Sequence, residues 1–427
     1  MISLVLFGSL VVLLILNVPV SISLGLASLI TILVSGDLTS GYVVQNLVTS
    51  SDSFTTMSIP FFVLAGEIMG GGGISKRLMN TARAFFGRYT GGLAIVTVVV
   101  CMFFAAISGS GPATVAAVGG MVIPSMLEAG YDKKFTLAVI AAAGSIGVII
   151  PPSIPMVIYS VSTGQSVSEL FMAGFVPGIL IGLTLIVYCH FYCKKHGYKG
   201  DEEPFSWKNA GKVAWDAKWA LICPVIILGG IYGGIFTPTE AAAVAAAYGF
   251  IVGVFVYKEI KISDIFNVIR SGVLTTSTIM IVIGCAAVFT KVLAVEKIPT
   301  AVADLIVGLN ANKIVILILI NVVLLFVGCF METLCAIMIL APIFLPIVTA
   351  VGVNPVHFGI IMVVNLAIGF ITPPLGINLF VASRVGKAQL SEVIQGIIPF
   401  IVVMIIDLLL ITYIPAISTF LPNLFMK

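Results

Sequence analysis

Long apolar stretches separated by short polar segments run along the whole chain, which has 427 residues. Because about 20 apolar residues in a helix cross a bilayer, the pattern predicts an all-α polytopic membrane protein with about ten transmembrane helices. Four apolar stretches contain Gly and Pro residues that a regular helix does not tolerate. Two of them, 91–127 and 313–349, are predicted as re-entrant helical hairpins, and the other two, 134–163 and 355–383, as broken helices.

The positions of Gly and Pro reveal an internal repeat. A shift of 222 residues places Gly147 on Gly369 and Pro152 on Pro374 without a gap. Of the ten Gly and Pro residues in the window 124–177, eight meet the same residue type, where roughly one match would arise by chance. Each copy holds five spans and one hairpin. Because five is odd, the second copy is predicted to be inverted in the membrane.

Helix interruptions have a chemical consequence in a membrane. They free backbone N–H and C=O groups that lipid cannot satisfy, so the breaks must face protein, water or a bound ion. Interrupted segments at corresponding positions of two halves mark the binding site in secondary transporters. Free carbonyls suit a hard cation such as Na⁺, and half-helix N-termini suit a carboxylate. We therefore predict that two hairpin tips, Ser108–Pro112 and Met331–Thr333, meet the broken helices near the middle of the membrane.

These interruptions supply the candidate ligands. The first predicted Na⁺ site contains Ser108, Gly109, Ser110, Gly111, Gly147 and Pro151. The second contains Glu332, Thr333, Gly369, Thr372 and Pro373. Groups able to bind a polar anion are Ser108, Ser153, Asn365 and Asn378. Glu332 is a functional candidate because ionisable residues inside spans are costly, whereas any single Ser or Thr could instead bond to its own helix backbone.

Composition and charge agree with this topology. Apolar residues make up 60% of the chain and charged residues only 9%, against about 25% charged in soluble proteins. With the spans placed as above, 17 of the 21 Lys and Arg residues fall on one side, which the positive-inside rule makes cytoplasmic. Both termini would then be periplasmic. The polar segment 194–218 would be a cytoplasmic loop, and 74–90 and 294–311 would be interfacial helices.

Several function classes find no support in the sequence. There is no GxxxxGK[ST] nucleotide motif, so an ion gradient is a better energy source than ATP. No nucleophile–base pair or metal cluster is visible, so we expect neither an enzyme nor an organic cofactor, and no nucleic-acid partner. A channel or a non-transporting scaffold would not need two matched hairpins. Two full spans with an external polar turn remain an alternative for 91–127.

In combination, five stretches resemble the large membrane subunit (DctM/SiaM type) of tripartite ATP-independent periplasmic (TRAP) transporters. They are SGSGPATVAAVGGMVIP, GSIGVIIPPSIPMVIY, FTPTEAAAVAA, METLCAIMILAPIFLPI and GFITPPLGINLF. The resemblance covers the whole chain and implies a Na⁺-driven importer of organic anions in the bacterial inner membrane, with an elevator mechanism and two or more Na⁺ sites. C4-dicarboxylates and sialic acid are the implied substrates, and the sialic acid branch looks nearest. The implied partners are a small four-helix membrane subunit and a periplasmic substrate-binding protein.

The resemblance also implies a division of labour along the chain. The moving transport domain would comprise 91–193 and 312–427, and the scaffold 1–73 and 219–293. The two interfacial helices would act as arms between them. A stand-alone divalent-anion/Na⁺ symporter of the same inverted architecture, which needs no binding protein, remains the alternative.

Overall fold

The computed structural model describes residues 2–36, 39–201, 205–308 and 312–426, and every regular element among them is a helix. The all-helical membrane fold predicted from the apolar pattern is thereby confirmed. The helices in chain order are α1 (Ile2–Ile15), α2 (Val20–Ser35), α3 (Ser40–Ser51), α4 (Ser58–Gly71), α5 (Ile74–Phe86), α6 (Gly92–Ser108), α7 (Gly111–Glu128), α8 (Lys133–Ser145), α9 (Ile154–Thr163), α10 (Val167–His196), α11 (Trp207–Asp216), α12 (Lys218–Tyr232), α13 (Pro238–Ile251), α14 (Ile262–Val295), α15 (Ile298–Gly308), α16 (Lys313–Phe330), α17 (Thr333–Ala350), α18 (Pro355–Gly369), α19 (Ile377–Val385), α20 (Leu390–Tyr413) and α21 (Ala416–Phe425).

The helix boundaries repeat along the chain with the same shift of 222 residues. Helix α7 spans Gly111–Glu128, and adding 222 to both numbers gives the bounds of α17, Thr333–Ala350. Helices α6, α8, α9 and α10 correspond in the same way to α16, α18, α19 and α20, to within a few residues. The caps repeat too: Asp132 accepts a hydrogen bond from the first-turn N–H groups of α8, and Asn354 does so in α18. The internal repeat therefore extends from the sequence to the folded chain.

The four interrupted elements have well-defined breaks. Helices α6 and α7 are separated only by Gly109 and Ser110, and α16 and α17 only by Met331 and Glu332. A 3₁₀ turn and a short irregular segment separate α8 from α9, and residues 370–376 separate α18 from α19. Whether the two hairpins are re-entrant stays a prediction, as does the inversion of the second repeat.

Helix packing divides the molecule into two groups. Helices α2 to α4 pack mainly against α13 and α14, and α1 packs against α2. Helices α6 to α10 pack against one another, and α7 to α10 also contact helices between α17 and α21. At the centre of the second group, α8 is buried from Phe135 to Ser145 and α18 from Val356 to Gly369. Most of the first group instead exposes large apolar side chains, as expected of helices that face lipid. The division into scaffold and transport segments stays a prediction.

The first predicted interfacial helix is tied to both groups. Gly73, at φ +72°, allows a 65° bend between α4 and α5. Near the start of α5, the Arg77 guanidinium lies 3.3 Å from a Glu259 carboxylate oxygen, in the segment that joins α13 to α14. Further along α5, Arg83 makes a bidentate pair with Asp201, at 2.8 and 2.9 Å, in the segment that follows α10. Helix α5 therefore bridges the two packing groups.

The polar segments contain more helix than the sequence indicated. The segment 194–218, predicted as a loop, includes the last turn of α10 and all of α11. Ser206 caps α11 by accepting a hydrogen bond from the Asn209 N–H. In the first repeat, α3 and α4 are two separate helices. In the second repeat, the residues equivalent to both of them form one unbroken helix, α14. The break occurs where Ser53 bonds to the Thr56 N–H and so competes with helical hydrogen bonding.

Several helices could cross a bilayer by length and composition. Among the described residues, six single helices meet this test, and eight spans result if each of two bent helix pairs counts as one. Further apolar helices of 10–17 residues are too short for this test; they are α1, α2, α6, α9, α18 and α21. The chain is thus a multi-pass membrane protein, and the total of ten spans remains a prediction.

Candidate functional site

A cavity of about 550 Å³ lies where all four interrupted elements converge. The hairpin tips contribute Ser110 and Glu332 with their neighbours, and the broken helices contribute Ile154 and Phe370. Helices α2 and α14 close the other side, chiefly through Thr275 and other side chains of α14. The structure therefore brings together segments more than 200 residues apart in sequence, as the repeat predicts.

The first predicted cation site is compact. The Ser108 hydroxyl lies 3.1 Å from the Thr114 hydroxyl and accepts a 3.4 Å hydrogen bond from the Ser110 N–H. The Thr114 hydroxyl donates to the Ser110 carbonyl at 2.8 Å. Ile154 N–H, at the start of α9, donates to the Gly109 carbonyl at 3.3 Å. The hairpin tip is thus bonded directly to the break between α8 and α9.

Glycine at two positions makes this close approach possible. A methyl group on Gly147 would lie 2.6 Å from the Thr114 hydroxyl and 2.7 Å from the Ser110 carbonyl oxygen. A methyl group on Gly109, which has φ +60°, would lie 2.8 Å from the Pro152 carbonyl oxygen. Gly111 packs similarly close to Phe370, and Pro151 lies buried within the same break. All six predicted residues of the first site therefore belong to one local cluster.

The second predicted cation site has a different chemistry at its hairpin tip. The Glu332 carboxylate caps α17, accepting hydrogen bonds from the Leu334 and Cys335 N–H groups at 3.0 and 3.2 Å. The repeat places Glu332 on Ser110, since 110 plus 222 is 332, and the Ser110 side chain caps α7 in the same way. A carboxylate thus occupies the position that a neutral hydroxyl holds in the first half.

The remaining members of the second site are less closely grouped. Gly369 packs against α16, where an added methyl group would lie 2.6 Å from the Gly328 carbonyl. The Thr372 hydroxyl, in the break after α18, donates to the Ile368 carbonyl in the last turn of α18 at 2.8 Å. Thr333 lines the central cavity, but Thr372 and Pro373 are absent from its lining among the residues that the structure describes.

The four residues predicted to bind the substrate lie in different surroundings. Ser108 belongs to the first cation site, and Ser153 caps α9 while donating to the Val148 carbonyl at 2.5 Å. Asn378 donates to Ser145 at 3.1 Å and thereby joins α19 to α8. Asn365 donates to Asn321 at 2.8 Å in a separate buried network. Only Ser108 and Ser153 lie within the tip-and-break cluster of the first half.

The scaffold-side residues of the cavity were missed by sequence reasoning. Thr275 and Thr278, on α14, and Ser21, on α2, line the cavity opposite the hairpin tips. The sequence signal was the run LTTST at 274–278, which is polar within an apolar span. Because α14 is an unbroken helix, reasoning from helix breaks could not select it.

The local arrangement fits ions of both signs. The N-termini of three helices, α7, α9 and α17, lie at the hairpin tips and at the first helix break, where Ser110, Ser153 and Glu332 cap them. The helix dipoles therefore make the electrostatic potential there more positive. No Lys or Arg lines the cavity within the described ranges, so an anion would be held by N–H groups and hydroxyls. Carbonyl and hydroxyl oxygens at the tips are hard ligands of the kind that alkali cations prefer. Across the described residues there is no cluster of three or more His, Cys, Asp and Glu.

Comparisons with known proteins agree on one family. The family model described as "Tripartite ATP-independent periplasmic transporter, DctM component" matches residues 7–417. The chain is 52% identical to the isethionate TRAP transporter permease protein DctMQ of Oleidesulfovibrio alaskensis, over 97% of this chain and 66% of that protein. It is 43% identical to the C4-dicarboxylate TRAP transporter large permease protein DctM of Vibrio cholerae, over 96% and 95% of the two chains.

Two further comparisons bear on branch and fold. The sialic acid TRAP transporter large permease protein SiaM of Vibrio cholerae is 37% identical over 96% of each chain, so the sialic acid branch is not singled out. The crystal structure of the Alcanivorax borkumensis YdaH transporter has a TM-score of 0.62 at 16% identity, covering 88% of this chain and 89% of that one. This likeness concerns the fold alone. By its family model and its relatives, the chain belongs to the DctM large permeases of the tripartite ATP-independent periplasmic transporters, a family of inner-membrane transporters rather than enzymes.

Proposed function

We propose that this chain imports a small organic anion by coupling its movement to Na⁺ entry. The observation that carries the proposal is the single cavity bounded by two hairpin tips and two helix breaks from opposite halves of the chain. Such a site offers backbone carbonyl and hydroxyl oxygens for Na⁺ and helix N-termini for an anion in one place. The anion is delivered by a periplasmic binding protein, as the tripartite family implies.

Substrate size and charge follow from the cavity and the relatives. A volume of about 550 Å³ accommodates a small carboxylate or sulfonate with its hydration. The relatives carry the names of isethionate, C4-dicarboxylate and sialic acid transporters, all of them organic anions. The relative with 52% identity makes isethionate the first substrate to test, with C4-dicarboxylates and sialic acid next.

The coupling cations have two sets of candidate ligands. Around the first tip, the Ser108 and Thr114 hydroxyls and the Ser110 carbonyl are close enough to share one small cation. Around the second tip, the Glu332 carboxylate and the Thr333 hydroxyl supply oxygen ligands. The two sets differ in formal charge, so the sites are expected to differ in Na⁺ affinity.

Transport by this chain would follow an elevator mechanism with two membrane-associated partners. Segments 91–193 and 312–427 move together against the scaffold and carry the cavity across the inner membrane, with α5 and α15 as arms. A small four-helix subunit packs beside the scaffold in lipid. Both termini face the periplasm, consistent with the predicted charge distribution.

Reconstitution tests this function directly. The chain and its small subunit, in proteoliposomes with an inward Na⁺ gradient, should take up isethionate, succinate or sialic acid only with the matching binding protein. Replacing Na⁺ by K⁺ should abolish uptake. Uptake without any binding protein would favour the stand-alone symporter instead. Flux that follows the substrate gradient alone, without Na⁺ dependence, would contradict both.

A further inference from the structure

A second cavity, of about 350 Å³, adjoins the central one and is not explained by substrate binding. It lies between α4 on the scaffold side and α7 of the first hairpin, and it shares Ser110, Ile154 and Thr275 with the central cavity. Ser108 of the first predicted cation site also lines it. The two cavities therefore meet at the first hairpin tip, and the second leads away from that tip along α4 and α7.

Glu67 on α4 is the single charged residue of this second cavity, counted over the described residues. Its carboxylate accepts a 3.1 Å hydrogen bond from the Ser271 hydroxyl of α14. No Lys, Arg or His lies within ion-pair distance of it in the part of the chain that the structure describes. Glu67 thus presents a negative charge, without a counter-ion from the chain, to a space that reaches the cation site.

The hairpin tip rests directly beside this residue. A methyl group on Gly66, the neighbour of Glu67, would lie 3.3 Å from the Ser108 Cα atom. The space itself exists because small residues face it from both helices, among them Gly70 and Gly71 on α4 and Ala113 on α7. A carboxylate in such a narrow, weakly polar cleft concentrates cations, since low-dielectric walls focus its field.

The predicted topology gives this cleft a side. Helix α4 leads into α5, whose Lys and Arg residues place it on the cytoplasmic side. We propose that Glu67 is a transient Na⁺-binding residue of the scaffold, positioned between the first cation site and the cytoplasm. Na⁺ that leaves Ser108 and Ser110 pauses at Glu67 before release, and internal Na⁺ returns by the same route. The inference rests on the proposed Na⁺ coupling.

The test compares Na⁺ dependence on the two sides of the membrane. Glu67→Gln removes the charge and keeps the shape, and Glu67→Asp keeps the charge. Asp264→Asn is the matched control, because Asp264 is an exposed acid in the first turn of α14 on the same predicted side. Each variant is reconstituted with the small subunit and binding protein, and isethionate uptake is measured while internal and external NaCl are varied separately. Stabilisation against heat by NaCl over KCl in detergent provides a readout independent of transport.

Glu67→Gln should raise the internal NaCl concentration for half-inhibition by about two- to fivefold, the size of the effect of a solvent-accessible ion pair. The dependence of its uptake on external Na⁺ should match the wild type. For Glu67→Asp and Asp264→Asn, the dependence on internal and on external Na⁺ should both match the wild type. The NaCl-specific stabilisation of Glu67→Gln should also shrink. The inference would be overturned if the internal and external Na⁺ dependence of uptake by Glu67→Gln both matched the wild type. It would also be overturned if both dependences shifted equally and the variant were less stable to heat in KCl, since that would indicate a structural defect. Uptake by the wild type that ignores Na⁺ would instead overturn the proposed function, and this inference with it.

Discussion

Two hydroxyl residues that the sequence treats alike differ in the structure. Ser108 contacts Thr114 and the Ser110 N–H, beside the Ser110 carbonyl, whereas the Thr372 hydroxyl is already bonded to the last turn of α18 at Ile368. Ser108→Ala should therefore raise the Na⁺ concentration for half-maximal uptake by about two- to tenfold, the range of one lost hydrogen bond. Thr372→Ala should have a smaller effect, and both are read from Na⁺ titrations of uptake. Equal shifts in the two variants, at equal membrane abundance, would contradict the difference between the sites.

The charge of Asp407, which is buried in α20, depends on where the single proton of the Thr184 hydroxyl lies. The Thr184 hydroxyl lies 2.6 Å from an Asp407 carboxylate oxygen and 2.9 Å from the Ile181 carbonyl. A hydroxyl has one proton, so if Thr184 donates to Ile181, Asp407 must carry the proton of the shorter contact. The other Asp407 oxygen is buried and has no hydrogen-bond partner among the residues that the structure describes, which also disfavours an ionised carboxylate within a membrane.

A neutral Asp407 predicts a tolerant position. Asp407→Asn should keep uptake within about twofold of wild type, because an amide can donate the same hydrogen bond. Infrared difference spectra should lose the carbonyl band of one protonated carboxylic acid in that variant. Loss of uptake in Asp407→Asn at normal abundance would show that the carboxyl group must ionise during transport.

At the scale of elements, the break between α8 and α9 depends on Gly147. Because a methyl group there would collide with the Thr114 hydroxyl and the Ser110 carbonyl, Gly147→Ala should destabilise the protein by about 1–3 kcal/mol and disrupt uptake. Gly120, in the middle of α7, has no described atom beyond its own helix backbone within 4 Å of an added methyl group. Gly120→Ala should then be neutral or slightly stabilising. Thermal unfolding of both variants in detergent measures the contrast, and a similar loss in each would refute the steric argument.

The sequence was most informative where a break interrupts an apolar run. Gly and Pro marked the first hairpin tip and both broken helices, and the shift of 222 residues then placed the second tip, which contains neither residue. Short helices such as α3, α11 and α21 escaped, since their stability comes from packing against neighbours rather than from an apolar repeat. The separation of Asn365 from the central cavity also escaped, because side-chain partners such as Asn321 depend on how helices cross.

At the scale of the whole molecule, α5 connects the two packing groups, because it forms an ion pair with each of them. The Arg83–Asp201 pair is bidentate but only partly buried, with side-chain exposures of 49% and 31%. A double-mutant cycle of Arg83→Ala and Asp201→Ala should therefore give a coupling energy of about 0.2–1 kcal/mol in thermal unfolding. Coupling near zero would mean that other contacts, such as the hydrogen bond from the Asp201 N–H to the Gly87 carbonyl, hold α5 in place.

The two halves of the chain are interlocked rather than placed side by side. Helix α4 of the first half packs against α13 of the second, α2 against α14, and α8 against α20. The Asn378 amide of the second half donates to the Ala141 carbonyl of the first at 3.2 Å. An ancestral protein of half this length would have had to pair with a twin before it could shield these surfaces. In the present chain, the two repeats pack as the subunits of such a dimer would, and a covalent connection joins them. Its halves, produced as separate fragments cut between residues 201 and 205, should reassemble when they are made together and be degraded when either is made by itself.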